Sequence, residues 1–169
     1  HAAKLAQRLV ARGFMPTRIF WRCWRGLTAA MSSGLENILD ELIQTVRSVP
    51  GIVFAPDDPP SQIVNHPAGV VWVTQGRAVI GPPELVTYHH GIRIALLTAI
   101  SNIAMANQRI LPQIEPVIEA VYGRLRQSGY SDIQNIEQIE YTYGPVQWGD
   151  VWYFGALIDL GEVKIQRAL

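Results

Sequence analysis

Few residues of this 169-residue chain have the types and spacing that chemistry requires. The adjacent pair His89-His90 is the most obvious candidate for metal binding or acid–base work. Neighbouring side chains on a strand point to opposite faces, however, and cannot share one ion without distortion. His66 has no carboxylate or cysteine at ligand spacing and is predicted to be a loop residue. We therefore expect one residue of the histidine pair to face solvent and the other to lie at an interface.

The remaining candidates for catalysis or metal binding are equally isolated. Asp57 and Asp58 lack the glycine turn and the distal glutamate of a calcium loop. Cys23, the single cysteine, excludes an internal disulfide, and no base can be assigned to activate it. No glycine motif opens a helix after a strand, which argues against a phosphate cradle. The sequence therefore predicts no catalytic residue, no cofactor and no metal site.

The formal net charge of zero conceals an asymmetry along the chain. Residues 1–30 contain six of the 14 Lys and Arg residues and none of the 14 acids, so the rest of the chain is net acidic. Residues 1–31 are predicted to be a basic arm, in which Trp21, Arg22, Trp24 and Arg25 form an unusual mixture of bases and indoles. Such a segment could bind nucleic acid, but contact with a neighbouring acidic subunit uses the same charges without repulsion from the body.

Two amphipathic helices are predicted in the remainder. Residues 33–36 (Ser-Gly-Leu-Glu) have the form of a capping box, and apolar residues recur with helical spacing over 35–46. A second helix is predicted from about residue 110 to 127, with Pro112 in its first turn. Pro116 predicts a kink or a later start. The aperiodic loop 55–60 is predicted to lie on the surface.

Two pairs of strands are predicted, one after the first helix and one in the C-terminal part of the chain. Residues 69–73 and 85–97 predict two paired strands, separated by Gly81-Pro82-Pro83. Residues 139–143 and 151–165 predict a long antiparallel hairpin with a connection over 144–150. Its second strand is apolar on both faces, which is typical of a central strand or of one covered on both sides.

These elements predict an α+β fold in a single domain over residues 32–169. An antiparallel or mixed sheet with a long C-terminal hairpin would pack against two amphipathic helices, preceded by the basic N-terminal extension. No run approaches the roughly 20 uninterrupted apolar residues that cross a bilayer, so we expect a soluble protein with no membrane contact.

The hairpin segment from Tyr141 to Ala156, YTYGPVQWGDVWYFGA, resembles the C-terminal hairpin of siphophage tail terminator (tail completion) proteins. The helix over 35–46 and the strand over 87–97 lie where that family has them. The resemblance covers about residues 32–167, and the basic extension is a departure from it.

The resemblance implies a non-enzymatic structural protein of the virion, assembled in the host cytoplasm. The subunits would form a ring, expected to be a hexamer, that caps the tail tube protein and joins it to the head–tail connector protein. Nucleic acid would at most pass through the ring. The expected interface residues are Trp21, Arg22, Trp24, Arg25, Tyr143, Trp148 and Trp152. For Trp148 the alternative is an indole folded back over the hairpin.

Two other functions remain open at this point. Another neck or tail-tube ring subunit would share a small α+β design with a long hairpin. A small enzyme or ligand-binding module would need convergent polar groups in a pocket, whereas the polar residues here are scattered along strand faces and loops.

Overall fold

The computed structural model describes residues 34–81, 85–100, 102–127 and 138–168, and the body from Gly34 to Leu169 is one compact unit. The predicted arm lies outside the described residues. In chain order the elements are α1 (Gly34–Ser48), β1 (Ala68–Gly81), β2 (Leu85–Ala99), α2 (Ile103–Gln127), β3 (Glu140–Trp148) and β4 (Val151–Ala168). The α+β class is therefore confirmed.

The first helix, α1, follows the predicted amphipathic pattern. Its buried side chains recur on one face. They are Ile38, Leu42, Ile43 and Val46. Glu36 lies in the first turn and Arg47 in the last, the arrangement that complements the helix dipole. The serine of the predicted capping box lies outside the described residues.

The second helix, α2, begins well before residue 110, so the predicted start was wrong. The Asn102 side-chain oxygen accepts a hydrogen bond from the Ala104 amide at 2.8 Å and caps the helix there. Pro112 and Pro116 both lie inside the helix, on its exposed side. The cap at Asn102 sets the start of α2, and the helix continues through both prolines instead of beginning at one of them.

The four strands form one antiparallel sheet in the order β1-β2-β4-β3. Ile94 of β2 lies opposite Val71 of β1 on one side and Ile158 of β4 on the other. β4 is thus a central strand, as its apolar pattern predicted, and β1 and β3 are the edges.

Both faces of the sheet carry buried side chains. The helix face, which includes Ile94, Leu96 and Ile158, packs against α1 and α2 in the larger apolar core. The loop face, which includes Leu97 and Tyr153, carries a second apolar cluster. Members of this cluster, fully buried or nearly so, are Ile63, Ala68, Val70, Ala95, Leu97, Val146 and Tyr153.

The loop over residues 49–67 contributes buried side chains to both clusters, Ala55 to the larger core and Ile63 to the second cluster, so it does more than lie on the surface. Asp57 and Asp58 are exposed as expected, but Ala55 and Ile63 are each only 4% exposed. Because turn-forming residues give no periodic pattern, the sequence did not indicate which of them are buried.

The hairpin connection is shorter than predicted. β3 continues through Gly144 and Pro145 to Trp148, and only Gly149 and Asp150 form the turn. Gly149 has a φ of 59°, a conformation that glycine adopts without steric cost. Pro145 is tolerated inside the strand because β3 is an edge and needs no second set of hydrogen bonds.

Candidate interaction surfaces

Trp148 ends β3 on the loop face, where it holds the covering loop to the sheet. Its indole Nε1 donates a hydrogen bond to the Pro60 carbonyl oxygen at 2.7 Å. Its ring packs edge-on against Trp72, with the ring centroids 5.1 Å apart. The side chain is half-buried. Within the subunit the indole therefore contacts the covering loop and β1, and its predicted role at an interface stays a prediction.

Tyr153 and Arg47 fix the same loop at two further points. The buried Tyr153 hydroxyl donates to the Ile63 carbonyl oxygen at 3.3 Å and accepts from the Ile63 amide at 3.1 Å. The Arg47 guanidinium donates to the Ala55 carbonyl oxygen and forms an ion pair with Asp57 at 2.9 Å. Sequence reasoning missed these anchors, since nothing in the pattern linked α1 or β4 to the loop.

The other two predicted hairpin residues lie on the opposite face from Trp148. Tyr143 donates to the Asn107 side-chain oxygen of α2 and packs edge-on against Phe154, with centroids 5.1 Å apart. Burial raises the pKa of the Tyr143 hydroxyl. Trp152 lies on the helix face and is 58% exposed. The three aromatic residues therefore do not form one surface, and Trp152 is the member of the set that is free to contact a partner.

On the loop face, beyond the area that residues 49–67 cover, ion pairs join β1, β2 and β4. Arg77, His89 and Lys164 lie directly opposite one another on β1, β2 and β4. Glu162 accepts from Arg77 at 3.1 Å and contacts the His89 ring at 2.9 Å. The hydrogen bond with His89, followed by the charge of Arg77, lowers the pKa of the Glu162 carboxyl. Most of these groups are exposed, so the pairs contribute little to stability.

His89 and His90 point to opposite faces of β2, as the strand pattern predicted. The His90 ring stacks on Tyr88 of the same strand, with centroids 6.2 Å apart. Burial, and secondarily the nearby His89, lower the pKa of His90. No group of three or more potential metal ligands occurs within the part of the chain that the structure describes.

Among the described residues, β1 and β3 have no strand on their outer sides, apart from a bridge between Phe54 and Ala68 at the inner end of β1. The outer half of β1 is exposed at every position from Thr74 to Ile80. On β3, residues Glu140, Tyr141 and Thr142 are exposed. An exposed strand edge offers a row of free amides and carbonyls to another chain.

No protein-family model matches the sequence, and no curated protein is significantly similar to it. Among the described helices, none is long and apolar enough to span a bilayer. The predicted contact residues of the arm, Trp21, Arg22, Trp24 and Arg25, lie outside the described residues, as does Cys23.

Proposed function

We propose that this chain is a non-enzymatic virion subunit of the tail terminator type, whose copies form a ring that caps the tail tube and joins it to the head connector. The observation that carries the proposal is the direction of the two edge strands. Four strands alternate in direction across β1-β2-β4-β3, so β1 and β3 run in opposite directions.

Opposite edges suit a head-to-tail ring. When a second copy is rotated about an axis along the strands, its β1 comes beside β3 of the first copy and runs antiparallel to it. The same face of every sheet then stays on the same side of the ring. A contact of this kind joins two different surfaces of one subunit, and such contacts generate closed rings when the rotation closes.

Exposed apolar residues at one end of the strands support a further contact of the subunit along the ring axis. Ala99 lies opposite Tyr153, so Ile100 and Trp152 come at the same end of the sheet, close to where α2 begins. Ile100 is 46% exposed, and Ile103 in the first turn of α2 is 61% exposed. Exposed large apolar residues at one end of a subunit are typical of a docking site, here for the tube or the connector.

The proposal is tested in the particle that contains the chain. Particles assembled without this protein are expected to have tails of abnormal length or tails not joined to heads, as seen by negative-stain electron microscopy. Complementation with Trp152→Ala is expected to restore joining less well than complementation with the original chain. Tails of normal length, fully joined to heads in the complete absence of the protein, would refute the terminator assignment.

A further inference from the structure

We propose that the outer half of β1 in one copy pairs with β3 of the next copy, with Thr74 opposite Pro145. This inference rests on the proposed ring and specifies the residues of its contact. The pairs would then run from Gln75 opposite Gly144 to Ile80 opposite Ile139.

The register follows from the points at which regular pairing must stop on the outer side of each edge strand. On β1, the pairing with β2 is interrupted by a bulge between Val73 and Gln75, and a bulge ends regular pairing on the outer edge as well. On β3, Pro145 has no amide to donate, so regular pairing stops at Gly144. Placing the bulge against the proline sets the uninterrupted residues 75–81 of β1 against residues 140–144 of β3 and against Ile139, which directly precedes β3.

Side chains on the helix face are complementary in this register. Ile80, which is 77% exposed, would lie opposite Ile139, and Ala78 opposite Tyr141, which is 55% exposed. Gly76 would lie opposite the larger Tyr143. Large residues of one edge therefore meet small or apolar residues of the other, and the pairing removes exposed apolar surface from water.

Charges on the loop face favour the same partner. Arg77 is the only charged residue of β1, and Glu140 is the only one of β3. In the proposed register Arg77 lies opposite Thr142 and diagonal to Glu140, within reach of its long side chain. Pairing β1 with β1, or β3 with β3, would bring like charges together. The charges therefore favour pairing of β1 with β3 over pairing of either edge strand with a second copy of itself.

Neither free stretch has the usual protection against pairing. Natural edge strands are commonly blocked by prolines, lysines or inward charges. On β1, no proline or lysine occurs between Gln75 and Ile80. On β3, the sole proline is at the end of the free stretch. The bulge and the proline therefore lie at the limits of the two stretches, and the charges within the stretches, Arg77 and Glu140, have opposite signs.

Paired cysteines test the register in the full chain carrying Cys23→Ser. Residues directly opposite each other in an antiparallel pair have Cα atoms about 4.5–5.5 Å apart, within the range that a disulfide spans. We expect oxidation to give a ladder of linked chains for Ala78→Cys with Tyr141→Cys, or for Val79→Cys with Glu140→Cys. The matched control, Ala78→Cys with Tyr143→Cys, moves one cysteine two residues along the strand, about 7 Å away, and should give far less.

Charge reversal provides a second measurement without cysteines. Glu140→Arg alone is expected to lower the fraction of chains in rings several-fold, and Arg77→Glu added to it should restore most of that fraction. Melting curves of each variant confirm that the subunit is folded. Ladders that are as strong in the shifted control, or no ladders in either expected pair, overturn the pairing. If rings are then still seen by electron microscopy, the proposed function stands and only this contact is wrong.

Discussion

Replacing Trp148 with alanine should destabilise the isolated subunit, because the indole fastens the covering loop to the sheet. The hydrogen bond to Pro60 contributes about 1 kcal/mol, and the edge-on contact with Trp72 about 1 kcal/mol more. Loss of partly buried apolar surface adds roughly another 1 kcal/mol. We therefore expect the free energy of unfolding to fall by about 3 kcal/mol.

Trp152 provides the matched control, since it lies four positions along the same hairpin but is exposed. Trp152→Ala should lower the free energy of unfolding by less than about 1 kcal/mol. Trp148→Phe keeps an aromatic ring but loses the donor, so its cost should be about 1 kcal/mol. Comparison of these losses with that of Trp148→Ala separates the contribution of the hydrogen bond from that of ring packing.

Urea unfolding of the full chain, followed by circular dichroism, measures these differences as shifts of the midpoint at constant slope. In a thermal scan the alanine variant should melt roughly 6–12 °C lower, given about 2–4 °C per kcal/mol for a chain of this size. Equal losses for Trp148→Ala and Trp152→Ala would show that the indole of Trp148 does not anchor the loop.

Three further predictions concern single side chains. Gly155→Ala would press a methyl group against the backbone of β2 and should cost about 3 kcal/mol in urea unfolding, whereas Gly123→Ala in α2 meets nothing and should stabilise by up to about 1 kcal/mol. Because the folded-state pKa of His90 is lowered from 6.5, stability should fall as the pH drops below that value, and thermal scans from pH 7.5 to 5.5 should show a smaller fall for His90→Asn. Tyr143→Phe removes the donor to Asn107 and should cost about 1 kcal/mol, with no change in the slope of the urea transition.

The spacing of apolar residues predicted those elements in which a single helix or strand packs directly against a core. The amphipathic spacing in α1 and the apolar pattern of β4 each reflect one element facing one core, so the helix and the central strand were predictable. The alternation of side chains along a strand likewise predicted that His89 and His90 lie on opposite faces of β2.

The ends of the helices and strands depended on capping and on strand position, which the spacing of apolar residues does not show. Prolines suggested a late start for α2, but the Asn102 side chain caps the helix earlier. Gly144 and Pro145 suggested a turn, yet an edge strand tolerates both, so β3 extends to Trp148. In both places a local preference was overridden by the surrounding structure.

The sequence by itself determined the α+β class and the helical and strand periodicities that underlie it. Only the tertiary structure decided that Trp148 and Trp152, four residues apart, have different surroundings, one bound to the covering loop and the other exposed. It also decided which strands are edges and in which directions they run. The physical reason is that strand order and loop contacts join residues far apart in the chain, whereas periodicity reports only how each segment alternates between core and solvent.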